Sequence, residues 1–502
     1  MSGPEIVLRG GRVIDPESGF DAVADVAIAE GRITQIGAVS PAGPSANLPD
    51  GPADVDAAGL VVTAGFVDLH SHVTDLPGMR LQALDGVTTA LELEAGASPA
   101  EAAYRRAAAE GRPTNYGFAT SWAQARMGEV AGFANGGTLA DFLGRLGDPR
   151  WQRPAQAAEL SAVLSRLAAD LADGALGIGV LLGYAPAVDP GEYLQVAGLA
   201  AEAGVPTFTH ARDLIEVVPH AAIDGAEEIV RAAGQTGAHM HYCHVNSTSQ
   251  RHIDRVLDLI GRAQAAGARI STEAYPYGSG MTAIGAAFLA PDRLGERGLV
   301  PSSLTYAPTG ERVAGEAQLR ELRQADPGGL ALIELLDEDD AADRGLLMRS
   351  LTFPGAVIAS DAMPLTWTGP AGPAEPTAWP PDATAITHPR TAGTFSRAVR
   401  MLTSGDEALS LAQALSKCSL APARLLEDRV PAMRRKGRLQ VDADADVLVF
   451  DPATLADRAT YTHSTRPSAG IRHVLVNGTF VVRDGSIVAD ARPGRPVRAG
   501  PR

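Results

Sequence analysis

The chain has 502 residues, of which 45% are hydrophobic and 20% charged, and its formal net charge is −16. This composition is typical of a globular enzyme and excludes a largely disordered chain. The acidic balance argues against nucleic-acid or anionic-membrane binding, since both rely on clustered positive charge. The length suits one large catalytic domain and one smaller domain.

The N-terminal segment MSGPEIVLRGGRVIDPESG lacks the basic and apolar regions of a secretory signal peptide. No apolar stretch of the sequence approaches the roughly 20 residues of a membrane-spanning helix. The two cysteines, Cys243 and Cys418, are too few for a disulfide framework. The sequence therefore predicts a cytoplasmic protein without membrane or nucleic-acid partners, and it leaves open whether the protein forms a homo-oligomer.

Segments of alternating hydrophobicity lie at both ends of the chain. They are typical of short β-strands joined by tight turns, and they span residues 5–9, 11–14, 26–36, 437–451 and 471–486. The Asn-Gly pair in VLVNGTFVV favours a hairpin, because both turn residues must tolerate positive φ. The ends are therefore predicted to form one small β-sandwich domain from residues 1–60 and 430–502.

The middle of the chain alternates apolar strands with helical segments such as 154–173 and 249–266. Eight strands are predicted, over residues 61–69, 87–93, 115–121, 175–182, 205–210, 239–245, 268–275 and 355–361. Eight strand–helix units favour an α/β fold of the TIM-type (β/α)8 barrel class over an open sheet. We expect this barrel to span residues 61–429, with residues 285–350 inserted near its mouth because that gap is too long for one helix.

Histidines follow three of the predicted barrel strands. His70 and His72 follow the first strand, and alternation in an extended segment directs both imidazoles to the same side. His210 ends the fifth strand and His244 the sixth. Because barrel enzymes place their chemistry at the carboxyl ends of the strands, we expect these imidazoles to bind zinc or a similar divalent ion. Such an ion makes a bound water acidic enough to act as the nucleophile.

Asp361 ends the eighth predicted strand, in VIASDAMP. It is the candidate general base, which takes a proton from the attacking water and delivers it to the leaving amine. In isolation, such an aspartate is interpreted as the N-cap of a helix. Together with the four histidines, the catalytic interpretation is favoured.

Longer motifs extend over nearly the whole chain, including GFVDLHSH, GVTTALELEAGAS, EAYPYGSGMT, HPRTAGTF and DPATLADRATY. In these motifs the chain resembles the amidohydrolase superfamily, and within it the D-aminoacylase (N-acyl-D-amino-acid deacylase) branch. The resemblance implies a barrel flanked by a β-sandwich made from both termini, and hydrolysis of a small-molecule amide. It also implies zinc as the cofactor, with the number of ions (one or two) and the use of other divalent metals left open.

One departure from the branch pattern concerns the metal ligands. The deacylases carry a metal-binding cysteine at the end of strand two, where this chain has Glu94. Other superfamily members use a carboxylated lysine, but Lys417 and Lys436 are the only lysines and both lie C-terminal to Asp361. A bridging ligand is therefore expected to be a carboxylate, foremost Glu94, with Glu92 as the alternative. A glutamate in an apolar strand is costly unless it is paired or metal-bound.

The second departure concerns substrate binding. The deacylases usually carry a lysine two residues after the strand-six histidine, where this chain has the uncharged Asn246. Arg390 can supply a carboxylate clamp or form a surface ion pair instead. Tyr275 and Tyr277 resemble residues that contact the substrate, and Tyr277 is the better candidate for a phenol near the oxyanion. Tyr184 is expected to line the pocket, and core packing is the alternative for all three tyrosines.

These departures leave more than one function open. The first hypothesis is deacylation of an N-acyl amino acid, with the D configuration suggested by the resemblance. The second keeps the fold and the metal but takes a cyclic amide, a cyclic imide or a specialised metabolite, and it is motivated by Glu94 and Asn246. A non-catalytic scaffold is disfavoured, because the four histidines and Asp361 are present.

Overall fold

The computed structural model describes residues 5–39, 53–134, 138–369, 372, 375–405 and 408–500. Within these residues the chain forms an eight-stranded parallel sheet, a nine-stranded sheet, a four-stranded sheet and a two-stranded sheet. Strands β1 to β23 and helices α1 to α15 are numbered along the chain. Among the helices that the structure describes, none is long and apolar enough to cross a membrane.

The parallel sheet forms the barrel, and hydrogen bonds link its strands in chain order. These strands are β6 (Phe66–Asp68), β7 (Val87–Ala97), β8 (Asn115–Ser121), β9 (Ile178–Leu181), β10 (Thr207–His210), β11 (Met240–Tyr242), β12 (Ile270–Ala274) and β17 (Ala356–Ile358). Most of their side chains are buried, because helices cover the outside while side chains fill the interior. Each strand overlaps one of the predicted strands, which confirms the predicted barrel.

The second large sheet is built from both ends of the chain. Its strands are β1 (Ile6–Asp15), β2 (Phe20–Ala29), β3 (Arg32–Gly37), β4 (Ala53–Asp56), β5 (Val61–Ala64), β20 (Val447–Phe450), β21 (Ile471–Val476), β22 (Thr479–Arg483) and β23 (Ser486–Ile487). The two halves meet where β5 pairs with β1 on one side and with β20 on the other. The sheet has its own apolar cluster, which includes Val13, Val26, Val62 and Val449. A small β-sandwich domain from both termini is thus confirmed.

The predicted strand over residues 61–69 is in fact two strands, β5 and β6, which belong to different sheets. Gly65 lies between them. A Cβ atom at this position would lie 2.1 Å from Cγ2 of Thr88, so a glycine is required where the chain passes from the sandwich into the barrel. Hydrophobicity alone does not show this break, since both strands are apolar.

The helices lie between the strands along the chain, and most of them cover the outside of the barrel. They are α1 (Leu76–Leu84), α2 (Ala100–Glu110), α3 (Trp122–Glu129), α4 (Leu139–Arg145), α5 (Pro149–Gln152), α6 (Ala157–Ala172), α7 (Pro190–Ala203), α8 (Gly225–Thr236), α9 (Val245–Thr248), α10 (Ile253–Ala265), α11 (Glu316–Ala325), α12 (Ala341–Thr352), α13 (Arg390–Leu402), α14 (Leu411–Cys418) and α15 (Leu420–Leu426). In α10 the buried residues Ile253, Val256, Leu257, Ile260 and Ala263 recur every three or four positions. This apolar stripe is the helical face that packs on a core.

Two smaller sheets follow the seventh and eighth barrel strands. The first contains β13 (Ser279–Ala283), β14 (Leu304–Tyr306), β15 (Glu311–Arg312) and β16 (Leu330–Glu334), and the second contains β18 (Thr366–Trp367) and β19 (Ala385–Ile386). Met281 of β13 and Ile333 of β16 face a cleft at the mouth of the barrel. The first of these sheets therefore supplies one wall of that cleft.

The barrel closes between its first and last strands, β6 and β17. The Asp68 carboxylate accepts a hydrogen bond from the Ser360 backbone N–H at 2.9 Å and another from the Ser360 hydroxyl. Further along both segments, the backbone N–H of His72 donates to the carbonyl of Ala362 at 2.8 Å. This seam places His70, His72 and Asp361 side by side at the barrel mouth.

A buried ion pair joins α3 and α7 outside the barrel. Arg126 donates to both carboxylate oxygens of Glu192 at 2.5 Å, and the Trp122 indole N–H donates to the same carboxylate at 2.9 Å. The side chains of Arg126 and Glu192 are 0% and 2% exposed. A charge buried to this degree is tolerated only while it is paired.

We expect Glu192→Gln to lower the free energy of unfolding by about 3–5 kcal/mol, because it leaves the Arg126 guanidinium buried without a counter-charge. Urea unfolding followed by circular dichroism measures the change. Glu334→Gln is the control, since Glu334 pairs with Arg312 at the surface with more than half of each side chain exposed, where ion pairs contribute little. Equal losses of stability in the two variants would contradict the prediction.

Candidate metal centre

The barrel mouth brings together the four predicted histidines, Glu94 and Asp361. The Nε2 atoms of His70 and His72 lie 3.0 Å apart. Each of them is 3.4 Å from Oδ1 of Asp361. This cluster offers two imidazole nitrogens and a carboxylate oxygen to a single point, as a metal site requires.

Glu94 connects this cluster to the other two histidines. Its Oε1 atom lies 2.7 Å from Nε2 of His244 and 3.0 Å from Nδ1 of His210. Its Oε2 atom lies 3.3 Å from Nε2 of His70 and 3.6 Å from Nε2 of His72. Glu94 therefore stands between two pairs of imidazoles, in the position of a bridging ligand.

The backbone conformation at three places aims these side chains. The pairing of β7 with β8 changes register between Glu92 and Ala97, and such bulges re-aim side chains near active sites. His244 and Asp361 have φ angles of +34° and +49°, a region that residues other than glycine rarely adopt. Strained conformations of this kind cluster at functional sites, which supports a functional role for both residues.

Two further carboxylates contact the outer nitrogens of the His70 and His72 imidazoles. Oε2 of Glu92 lies 2.7 Å from Nδ1 of His72, and Oε1 of Glu273 lies 2.5 Å from Nδ1 of His70. Glu92, the alternative bridging ligand in the sequence analysis, is thus on the far side of the His72 ring. Glu273 was not identified in the sequence analysis. The cost of a glutamate in an apolar strand, which was applied there to Glu94, applies equally to Glu273.

The buried carboxylates of this cluster favour the binding of a cation. Burial raises the pKa of the Asp361 carboxyl, but Arg390 and His70 lower it to about 2. Burial also raises the pKa of Glu94, but the imidazole of His70 and its neighbours lower it well below the usual range. Burial lowers the pKa of the His70 and His72 imidazoles, but the surrounding carboxylates raise it, for His72 to about 10. Without a metal, protons on these imidazoles therefore balance the buried negative charge, and a divalent ion can take their place. Imidazole nitrogens and carboxylate oxygens are donors that zinc and similar divalent ions accept, so the donor set fits a metal.

A cleft leads from the surface to this centre. It encloses about 1000 Å³, open solvent at its mouth included. His72, Glu94, His210, His244 and Asp361 line its inner end. Its walls are largely apolar, and the apolar residues that line them are Leu139, Phe142, Leu143, Leu146, Leu181, Met281, Phe288, Leu289, Leu299, Ile333, Leu335 and Met363. The cleft is suited to a ligand with a large apolar group.

Two arginines line the cleft, and both are neutralised by carboxylates. Nε of Arg212 donates to Glu228 at 2.7 Å. Arg297 donates to Asp213 and stacks its guanidinium on the Phe288 ring at 4.8 Å. The cleft walls therefore carry little net positive charge.

Two of the predicted substrate-binding tyrosines, Tyr184 and Tyr275, line the cleft. Arg390 lies directly behind Tyr275, with its guanidinium 4.7 Å from the ring centroid, and its Nη2 atom is 2.9 Å from Oδ2 of Asp361. It is fully buried, so the alternative of a surface ion pair is wrong. Its Nε and Nη1 atoms are buried without hydrogen-bond partners in the described structure.

The structure does not bring Tyr277 or Asn246 to the cleft. The Tyr277 hydroxyl lies 3.5 Å from the Pro389 carbonyl, and Arg397 stacks on its ring. The Asn246 side-chain amide donates to the backbone carbonyls of Tyr275 and Tyr277 at 3.2 and 3.3 Å. The geometry thus gives Tyr277 no place near an oxyanion, and it ties Asn246 to the loop that carries Tyr275.

Comparison with known proteins matches the amidohydrolase family model to residues 54–482. N-acyl-D-glutamate deacylase of Alcaligenes xylosoxydans xylosoxydans is 29% identical over 524 aligned residues, which cover 98% of this chain and 96% of that protein. D-aminoacylase of the same organism is 28% identical, and the alignment covers 95% of this chain and 94% of the relative.

Solved structures agree with these relationships. A crystal structure of N-acyl-D-glutamate deacylase from Bordetella bronchiseptica has a TM-score of 0.74 and 25% identity, with 99% of this chain and 100% of that chain covered. That protein is complexed with zinc and a phosphonate inhibitor that mimics the tetrahedral intermediate. A D-aminoacylase with a TM-score of 0.75 and 23% identity shares the fold over the same extent. Because the family model spans most of the sequence, the chain belongs to the amidohydrolase family, as its motifs predict.

Proposed function

We propose that the protein is a metal-dependent deacylase that hydrolyses the amide bond of an N-acyl amino acid with the D configuration. The observation that carries this proposal is the convergence of four imidazoles, Glu94 and Asp361 at the inner end of one cleft. The nearly full-length relatives support it, since they are named N-acyl-D-glutamate deacylase, N-acyl-D-aspartate deacylase and D-aminoacylase.

The metal is zinc, held as one or two ions by the residues of the centre. Two pairs of imidazoles, His70 with His72 and His210 with His244, are the nitrogen donors, and Glu94 lies between the pairs. When bound, the metal supplies Lewis acidity toward the scissile carbonyl and the attacking water.

Asp361 moves the proton. Its carboxylate takes a proton from the attacking water and delivers it to the amine nitrogen as the C–N bond breaks. Arg390 donates to Oδ2 of Asp361 at 2.9 Å and so fixes the orientation of this carboxylate. Both the charge and the position of the proton acceptor are thereby set before the substrate binds.

The remaining donors of Arg390 are suited to the substrate carboxylate. Nε and Nη1 have no partner among the described residues, and Nη1 would lie 4.0 Å from a Cβ atom added at Gly280, which lines the cleft. A guanidinium with free donors favours a carboxylate over neutral ligands. Tyr275 lies between this group and the cleft and contacts the same end of the substrate.

The cleft favours an apolar side chain or acyl group. Its walls are largely apolar, and its two arginines, Arg212 and Arg297, are neutralised by Glu228 and Asp213. Nη2 of Arg212 has no hydrogen-bond partner among the described residues, but the guanidinium is already paired with Glu228. A second substrate carboxylate would therefore be buried beside a balanced charge, which is costly. The expected substrate therefore differs from the acidic amino acids in the names of two relatives.

We expect the zinc-loaded protein to release free amine from N-acetyl-D-phenylalanine with a kcat/KM at least about tenfold above that for N-acetyl-D-glutamate, since about 1.4 kcal/mol of uncompensated burial suffices for this ratio. A fluorogenic amine assay measures both, with the L enantiomers as controls. Ring opening of a hydantoin or a cyclic imide, without release of amine from any N-acyl amino acid, would sink the deacylase proposal in favour of a cyclic-amide hydrolase.

Asp361→Asn is expected to retain zinc but to lower kcat by about 10²–10⁴-fold, because the amide keeps the shape of the side chain and cannot accept the proton. Zinc content is measured by atomic absorption and turnover by amine release. Turnover equal to that of the wild type would show that another group moves the proton.

Glu94→Gln and Glu92→Gln are expected to differ in metal content. Glu94 faces all four imidazoles, whereas Glu92 contacts only the outer nitrogen of His72. At saturating zinc, Glu94→Gln should therefore bind fewer ions per chain, and Glu92→Gln the same number as the wild type. Reversed stoichiometries would mean that Glu92 is the ligand.

A further inference from the structure

The barrel interior carries a row of polar side chains along two neighbouring strands. On β11 and its flanks, His239, His241 and Cys243 alternate with outward-facing residues, and on β12 Ser271 and Glu273 do the same. Cys243 belongs to the apolar cluster of the barrel interior, and the His241 ring packs 5.4 Å from Phe208 of that cluster. Barrel interiors are normally filled by apolar layers, so a row of polar side chains is unusual. This row is called the polar column.

Hydrogen bonds connect the polar column from end to end. Oε2 of Glu273 lies 3.0 Å from Nε2 of His241, and Nδ1 of His241 lies 2.8 Å from the Ser271 hydroxyl. The same hydroxyl lies 2.8 Å from Nε2 of His239. His241 and Glu273 are 0% and 1% exposed. The ring nitrogens of His241, the Ser271 hydroxyl and the Glu273 carboxylate thus all have hydrogen-bond partners, which offsets the cost of burying them.

The upper end of the column reaches both halves of the metal centre. Oε1 of Glu273 lies 2.5 Å from Nδ1 of His70. The same oxygen accepts a hydrogen bond from the backbone N–H of His244 at 3.3 Å. His70 belongs to one pair of imidazoles and His244 to the other, and His244 holds a strained φ of +34°. One carboxylate oxygen therefore contacts one residue from each pair.

The contact with His70 also fixes its tautomer. Nε2 of His70 faces Glu94, Asp361 and His72, so this nitrogen must keep its lone pair free to bind a metal. Nδ1 then carries the hydrogen, and an ionised carboxylate opposite it can only accept. Carboxylates placed in this way orient metal-binding imidazoles and increase their basicity.

We propose that Glu273 is the positioning residue of the metal centre, holding the His70 imidazole and the His244 backbone with one oxygen while the polar column holds its other oxygen. Glu92 is not equivalent to it. The Glu92 carboxylate contacts His72 alone among the four histidines, and its second oxygen accepts from the backbone N–H groups of Ala95 and Gly96. The inference rests on the metal centre of the proposed function, and on no particular substrate.

The test is the zinc dissociation constant of the full-length protein, measured by competition with a chromophoric chelator and without substrate. Glu273→Leu should raise it by about 10–100-fold, the usual effect of losing such an outer partner. Glu273→Gln should give a smaller rise, because its carbonyl oxygen can still accept from Nδ1 of His70. At saturating zinc the KM for substrate should not change, since Glu273 does not line the cleft.

Asp85→Asn is the matched control. Asp85 is a buried carboxylate, 1% exposed, that accepts from the backbone N–H groups of Phe395 and Ser396 and contacts no metal-binding residue. Its amide variant should lower the unfolding temperature and leave the zinc dissociation constant unchanged. A rise equal to that of the Glu273 variants would overturn the proposal, because the effect would then report general destabilisation.

Circular dichroism establishes that each variant is folded. If Glu273→Leu does not fold, Glu273→Gln decides alone, and a dissociation constant equal to that of the wild type overturns the proposal. If the wild-type protein binds zinc but releases no amine from N-acyl amino acids, the deacylase proposal fails while the result for Glu273 stands. The two failures are thus distinguishable.

Discussion

The structure at the barrel mouth depends on how buried negative charge is compensated. Glu94, Glu273 and Asp361 each contact the His70 imidazole, and each is almost fully buried. Carboxylates at such depth are stable only beside hydrogen-bond donors and positive charge. Imidazoles, the Arg390 guanidinium and a divalent metal together meet this requirement, so the same requirement that shapes the fold here also selects its cofactor.

The strands supply positions for these groups, and local backbone irregularities supply the directions. A register shift in β7 separates the roles of Glu92 and Glu94, which simple alternation would place on one face. Positive φ angles at His244 and Asp361 turn the chain just where two barrel strands end. Regular secondary structure thus carries the ligands to the barrel mouth, while a few strained residues orient them.

Much of this was predictable, because the ends of parallel strands meet at one edge of a barrel. That rule places His70, His72, His210 and His244 together with Asp361 from their sequence positions alone. It does not give the direction of a side chain once the chain has turned after a strand. Tyr277 follows a turn in which its own N–H donates to the carbonyl of Tyr275 at 3.0 Å, so alternation no longer holds and its ring leaves the cleft. The cost of burying a glutamate inside a strand marks Glu273 as a candidate, but its partners come from distant segments that no local pattern reveals.

The seam between β6 and β17 has a consequence for biosynthesis. Asp68 and Ser360, which form it, are separated by 292 positions in the chain. The His70–His72 pair emerges early from the ribosome, but its aspartate partner joins it only after the last barrel strand has been made and has docked. A nascent or truncated chain therefore offers an incomplete set of donors. Turnover, rather than metal content, is consequently the property that distinguishes chains that have finished folding from chains that are merely compact.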